Sequence, residues 1–282
     1  MATATIREWK VSCDEYHKDP SISSSKLRDY VNHGVTYYRA VHIDRTHRPQ
    51  PTERMLFGSL VHEIVLKPSW ARGVAIIPSD VLAKNGARST NAYRDWAAEN
   101  QGKWQLKADE ADGVAQMLAA MASHPLAADL LLNERCCTEV ALITDDDYPN
   151  RRCMIDSVAP LGIADLKIHD DLDPQRLAAH IVRMRYDWQL AFYQEMLFNH
   201  EKRTRDCYLV FLRSVPPYQC RVVRLKPDWM AAARAEYKQP LSDLEARYVM
   251  DDWHELDEDA AVELERPRMA DFRDEYSLHD ND

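Results

Sequence analysis

Apolar positions recur at two different periods along this chain, and each changeover marks a boundary between kinds of structure. Residues 1–20 show little periodicity and read as an arm. In "SISSSKLRDYVNH" the serines can cap an apolar-periodic run, which predicts a helix from about Ser24 to Asn32. A short second helix is predicted over Tyr37 to Ile43. Pro49 and Pro51 then punctuate, Thr52 can cap, and "ERMLFGSLVHEIVL" follows at helical spacing until Pro68 stops it. "VAIIP" reads as a short strand, and residues 88–133 are helical in pattern, broken at Pro125. The period then drops to two. "CTEVALIT", "RRCMIDSVA" and "GIADLKIH" are successive strands separated by the turn stretches "DDDYPN" and "PLG". Helical pattern resumes from Pro174 to His200, two further strands follow in "DCYLVFLR" and "QCRVVRL", and a helix runs from about Asp228 to Tyr248. The pattern predicts an α/β fold: a central mixed sheet of about five strands flanked by helices, with a helical N-terminal region.

One stretch breaks the pattern. "CMIDSVAPLGIADLKI" carries Asp156, Asp165 and Lys167 inside an otherwise apolar hairpin. A buried carboxylate is costly unless it is paired or binds a cation, so the stretch holds either an ordinary salt bridge or a site. Ala159-Pro160-Leu161-Gly162 has the proline and glycine of a type I turn. With Pro160 and Leu161 as loop residues, Asp156 falls opposite Asp165, with Cβ atoms about 5 Å apart on one face. Alternation adds Lys167 to that face and sends Ala164, Leu166 and Ile168 to the other. Two carboxylates this close repel unless one is protonated or a cation lies between them, and a hard divalent ion such as Mg2+ suits such oxygens. The lysine could orient or deprotonate a water, or stabilise developing negative charge. An isolated Asp-x-Lys, by contrast, is usually a surface pair of small energetic value.

Composition narrows the class. The 282 residues are 45% hydrophobic and 29% charged, as in a soluble globular protein. No apolar run reaches bilayer-spanning length, and "MATATIREWK" lacks the layout of a signal peptide, so no membrane association and a cytoplasmic location are expected. The six cysteines form no CxxC and no Cys/His spacing, which argues against a zinc ribbon or a disulfide framework and for buried free thiols. The net charge of -10 looks hostile to nucleic acid, yet residues 251–282 alone hold thirteen acidic groups against three arginines. The remaining body is neutral and carries basic clusters at Arg45–Arg48, Arg151–Arg152, Arg183–Arg185 and Lys202–Arg205. The acidic segment reads as a solvated tail.

Two further segments bear on the hairpin. Gly58 and His62 share a helix face in "MLFGSLVHEIVL", where glycine would let another backbone approach the imidazole. Gln189 and Tyr193 are four apart on one face of the helix in "RMRYDWQLAFYQEML". Read alone, the histidine is an ordinary core or boundary residue, and the Gln/Tyr pair a polar margin beside an aromatic stripe.

The order of these features resembles the PD-(D/E)xK nucleases of the RecB-like group. It is His in "FGSLVH", Glu in "TEVAL", Asp in "MID", Asp-x-Lys in "DLK" and Gln-x-x-x-Tyr in "QLAFY". The exonuclease VIII (RecE) type of phages and prophages is the most similar, over most of residues 20–225. The resemblance implies a restriction-endonuclease-like core over residues 21–250 and a metal-dependent exonuclease that degrades one strand of duplex DNA 5′ to 3′. The single strand would pass to an annealing protein for recombination, and family analogy implies a ring-shaped homo-oligomer. Asp156, Asp165 and the Leu166 carbonyl would bind Mg2+, for which Mn2+ would substitute, with His62 as a further ligand. Lys167 would position or activate the attacking water, Gln189 and Tyr193 would support the site or contact DNA, and Glu139 matches the family's strand glutamate. The chain departs from the pattern at Ile155, where the family has proline, and at Ile168, commonly threonine. It also lacks the cysteine cluster of the iron–sulfur members. A catalytically silent DNA-binding scaffold and a structure-specific endonuclease are the competing readings. The resemblance does not explain the acidic tail, for which one hypothesis is that it docks a basic partner or lies over the DNA channel of a neighbouring subunit.

Overall fold

The computed structural model describes residues 5–11, 13–67, 73–145 and 148–254. The acidic tail expected beyond Met250 falls outside the described residues from 255 onward. Eight strands and nine helices are present among the described residues. They run β1 (Thr5–Glu8), α1 (Cys13–Lys18), α2 (Ser24–Tyr38), α3 (Glu53–Leu66), β2 (Val74–Ile76), α4 (Asn91–Glu99), β3 (Trp104–Leu106), α5 (Ala108–Ala122) and α6 (Pro125–Leu131). After these come β4 (Cys137–Asp145), β5 (Arg152–Ala159), β6 (Gly162–Ile168), α7 (Pro174–Arg183), α8 (Tyr186–Glu201), β7 (Asp206–Leu212), β8 (Cys220–Leu225) and α9 (Pro227–Met250).

Six strands form one sheet in the order β1-β4-β5-β6-β7-β8, antiparallel except for the parallel pair β6/β7. The expected mixed α/β sheet is therefore present, with one strand more than predicted. Thr5–Glu8, read from sequence as part of an arm, adds an edge strand beside β4. Its four residues are too few to show a period, so the signal was absent from the chain. A parallel neighbour needs a helical crossover, and α7 with α8 supplies it between β6 and β7. The helical pattern read from Pro174 to His200 forms two helices, separated at Arg185, whose backbone is left-handed at φ 57°.

The sheet separates two apolar clusters. On one face Leu142, Ile155, Ile163, Leu209 and Phe211 pack with Leu27 of α2, Tyr193 of α8 and Tyr237 of α9. On the other, Ala164, Leu166 and Val210 pack with Val61 of α3, Met117 of α5 and Leu130 of α6. Thr52 caps α3 by accepting from Met55 N–H, as its position before the apolar run predicts. The "SISSSKL" segment is anchored to the sheet: Ile22 bridges Arg151, and Lys26 Nζ donates to the carbonyls of Asp19, Pro20 and Ser21 at 3.0, 2.8 and 3.0 Å. Burial, with Arg152 nearby, pushes the Lys26 ammonium down to about 7. Cys153 and Cys207 are buried free thiols as expected, whereas Cys137 is exposed and Cys136 and Cys220 are half-buried.

Glycine serves a different purpose from the one read in sequence at two positions. Gly58 faces open space and no backbone approaches there, which corrects the expected close contact at His62. Gly162 lies against the Asp206 carbonyl and the Tyr208 ring, so a Cβ would collide with the β7 backbone. The hairpin glycine therefore permits the close approach of β6 and β7 as well as the turn. Gly162→Ala should lower stability by about 1–3 kcal/mol through overpacking, whereas Gly58→Ala should be neutral or stabilising by up to about 1 kcal/mol. Urea denaturation midpoints of the two variants test this pair.

Candidate active site

The hairpin register follows the turn. Ala159 pairs with Gly162, Val158 with Ile163 and Ser157 with Ala164, the register that the turn predicts, and Asp156 and Asp165 are the next residues on the two strands. The β5/β6 ladder ends there. Asp156 Oδ2 instead accepts the Leu166 N–H at 2.8 Å, a side chain substituting for the next backbone acceptor. Beyond this point β5 stays paired with β4 and β6 with β7, so the two strands part around the charged residues.

The distortion extends to β4. Ile155 and Val158 both belong to the same apolar cluster although strict alternation would separate them, so the in–out pattern switches at Asp156. Opposite it, between the pairs Thr138/Ser157 and Val140/Ile155, Glu139 adopts a left-handed backbone at φ 52°. A non-glycine residue in that region costs about 1–3 kcal/mol and persists only where its surroundings hold it. Here Glu139 pairs with Lys67 at 2.8 Å.

Helix α3 thus serves the site twice. Lys67 at its C-terminus holds Glu139, and His62 five residues earlier brings Nδ1 to 3.5 Å from Asp156 Oδ2. From the opposite face, α8 contributes Gln189, whose Nε2 donates to the Tyr193 hydroxyl at 2.7 Å. Tyr193 is buried, and its hydroxyl is held well above the usual phenol range by burial and by the nearby Asp165 and Asp156 carboxylates. All the residues read from sequence therefore gather around the parting strands. Lys67 and Tyr186 were missed; neither lies in a recurrent spacing, and only the fold brings them in.

Asp165 is the focus of the electrostatics. Its side chain is 1% exposed. Burial, with Asp156 adding repulsion, pushes the carboxyl up to about 6 against the opposing pull of Lys167 and His62. Lys167 Nζ stands 2.5 Å from Oδ2, yet that buried oxygen has no partner in hydrogen-bonding geometry. The ammonium also lies over the Tyr186 ring, 4.6 Å from its centroid. Burial disfavours the Lys167 charge, but Asp165, Tyr186 and Asp156 outweigh it and raise the group above its ordinary range. Held as an ammonium beside Asp165, Lys167 can donate to a water or an oxyanion.

A buried carboxylate whose ion pair with Lys167 leaves Oδ2 outside hydrogen-bonding geometry is one that a further cation would satisfy. Asp156 and Asp165 supply hard oxygens, and the Leu166 carbonyl shares the strand edge of the N–H that reaches Asp156, because a residue's two main-chain groups face the same neighbour. This oxygen set fits Mg2+ or Mn2+. No group of three His, Cys, Asp or Glu side chains stands within metal-binding distance among the described residues, and His62 approaches the set at Asp156, 3.5 Å from Oδ2.

Sheet order, crossover and the charged pair at the parting strands together define a PD-(D/E)xK-like domain. The chain belongs to the family described as PDDEXK-like domain of unknown function (DUF3799), whose profile matches residues 23–254. No curated protein matches the sequence. The fold is similar to the crystal structure of a candidate exonuclease from Eubacterium rectale, at TM-score 0.59 and 15% identity over 94% of this chain and 98% of that one. An alkaline exonuclease from Laribacter hongkongensis aligns at TM-score 0.28 and 14% identity, over 61% of this chain and 87% of that one, a likeness too slight to carry weight. No helix among the described residues is long and apolar enough to cross a membrane.

The raised Asp165 carboxyl has a consequence for stability. Between about pH 4 and 6 the native state binds more protons than the unfolded chain, so stability falls as pH rises through that window. A displacement from 3.8 to about 6 corresponds to about 3 kcal/mol. Without divalent metal, wild type should gain stability relative to Asp165→Asn as pH is lowered from 7 to 5. Melting temperatures of the two proteins across that range measure the difference.

Proposed function

We propose that the protein is a metal-dependent exodeoxyribonuclease acting on linear double-stranded DNA. The observation that carries this is the buried Asp165 carboxylate, whose Oδ2 meets Lys167 Nζ at 2.5 Å but outside hydrogen-bonding geometry, beside Asp156 and the parted edge of β6. A carboxylate held in this state costs stability, and a phosphodiester hydrolase is where that cost has a use. Membership of a PDDEXK-like family supports the same class.

Asp156, Asp165 and the Leu166 carbonyl would hold Mg2+, or Mn2+ in its place, with His62 beside Asp156. Such an ion, when bound, supplies Lewis-acid neutralisation of charge on a phosphoryl group. The chain's own groups do the rest. Lys167, kept as an ammonium, donates to the attacking water or to a non-bridging phosphate oxygen and stabilises the charge that develops there. His62 orients the Asp156 carboxylate, while Lys67 holds Glu139 at the neighbouring ladder position. The Gln189–Tyr193 pair closes the site from the α8 side, while burial and the two aspartates hold the phenol above its usual range against the pull of the Gln189 hydrogen bond.

The order of motifs supports the finer reading: digestion from duplex ends with 5′-to-3′ polarity, single strand passed to an annealing protein, and a homo-oligomeric ring acting in the cytoplasm of a bacterial host on behalf of a phage or prophage. Linear duplex labelled at either end, incubated with Mg2+, tests activity and polarity together. Early release of the 5′ label, a resistant closed circular plasmid, and loss of at least about 100-fold in Asp165→Ala and Lys167→Ala are expected. Release of the 3′ label first would reverse the polarity, and cutting of the circle would make the protein an endonuclease. Duplex binding without cleavage of any substrate would make it a silent scaffold.

A further inference from the structure

The chemistry of the central strand continues past Lys167. His169 follows β6 on the same face as Asp165 and Lys167 by alternation, and its N–H extends the ladder to the Leu212 carbonyl at 3.0 Å. Its ring stacks on His180 of α7, with centroids 3.9 Å apart and planes at 14°. His180 meets Tyr186 edge-on at 5.6 Å, the same ring that lies beneath Lys167. A continuous track of rings therefore runs outward from the catalytic lysine.

Two guanidinium groups stand at its outer end. Arg54, in the first turn of α3, donates to His169 Nδ1, and Arg183, in the last turn of α7, donates to His180 Nδ1, both at 3.3 Å. A guanidinium offers donors only, so each Nδ1 must accept, and both imidazoles are neutral with the proton on Nε2. Burial and the Arg54 charge hold His169 below the ordinary histidine range, with Arg183 acting the same way and Asp171 and Asp170 opposing. Those carboxylates are engaged elsewhere. Asp170 accepts from Ser214 N and Oγ at 2.9 and 2.6 Å, Asp171 pairs with Arg176 at 2.9 Å, and Asp173 caps α7. Three elements thus bring two guanidinium groups and two stacked imidazoles together, beside the Lys167–Asp165 ion pair.

We propose that Arg54, His169, His180 and Arg183 form a phosphate-binding subsite for the DNA strand, one or two nucleotides from the phosphodiester held at Asp165 and Lys167. This rests on the nuclease reading and adds to it the track that the strand follows. The reach fits: His169 lies about 7 Å along the strand from Lys167, and a nucleic-acid strand presents a phosphate for about every 3.4 Å of rise. The donors also fit, because planar guanidinium forks match phosphate oxygens and read no base.

The test is the affinity of the full-length protein for a labelled linear duplex, by fluorescence anisotropy in EDTA between 50 and 200 mM salt, beside turnover of the same duplex in saturating Mg2+ assays. The double variant Arg54→Ala/Arg183→Ala should bind about tenfold more weakly and lose about 1–2 from the slope of log affinity against log salt. Lysine at both positions should restore most of that slope. Turnover at saturating DNA should stay within about threefold of wild type, as expected for groups that position the phosphate backbone. A double variant that cleaves but keeps wild-type affinity and slope overturns the proposal. So does one that loses turnover with affinity and slope unchanged, which would mark the arginines as scaffold. A wild type that neither binds nor cleaves duplex overturns the nuclease reading itself, and this subsite with it.

Discussion

Everything at the centre of this molecule depends on keeping one carboxylate, Asp165, out of water. The hairpin places it on the strand beside the parallel crossover, where α8 and the surrounding strands cover it. Its neighbours then follow as responses to that burial. Lys167 supplies the counter-charge but meets Oδ2 outside hydrogen-bonding geometry. Asp156, whose charge adds repulsion at Asp165, is itself held by the Leu166 N–H and lies toward His62. A buried ion pair with an unsatisfied oxygen is a poor stabilising device, because desolvation cancels much of the Coulombic gain. Its persistence is understandable if a cation completes it.

The same constraint accounts for the irregular backbone. A regular ladder between β5 and β6 would use the main-chain groups of Leu166 for sheet pairing. Ending it at Ser157/Ala164 releases that edge toward Asp156. The switch in alternation at Asp156 and the left-handed Glu139 across from it let Ile155 and Val158 both reach the core. Strain is thus concentrated at the row of residues that also carries the charge, as expected where function opposes regular structure.

Much of this was legible in the chain. The change from helical to two-residue periodicity located the central strands, and the Pro-Gly turn set a hairpin register that the structure keeps. Helical spacing placed His62, Gln189 and Tyr193 on helices that do approach the hairpin. What stayed hidden depends on contacts between distant elements. Thr5–Glu8 is too short to carry a period and becomes a strand only because β4 offers an edge. Lys67 and Tyr186 acquire their roles from where α3 ends and α8 begins. Gly162 looked like turn chemistry alone, whereas the approach of β7 is visible only in three dimensions. Gly58 carried the opposite error, a close contact inferred from a small residue that the fold leaves open.

The central claim is that Asp156 and Asp165 form an oxygen site made for a divalent cation. Titration of the metal-free protein with Mn2+, followed by calorimetry and by the loss of the free-ion paramagnetic resonance signal, addresses it directly. The account predicts saturable binding by wild type that weakens at least about tenfold in both Asp156→Asn and Asp165→Asn, as removal of a charged ligand requires. Asp171→Asn, which removes a surface charge paired with Arg176 and keeps an oxygen acceptor for the Asp173 N–H, should bind as wild type does. Equal Mn2+ affinity in all four proteins would contradict it.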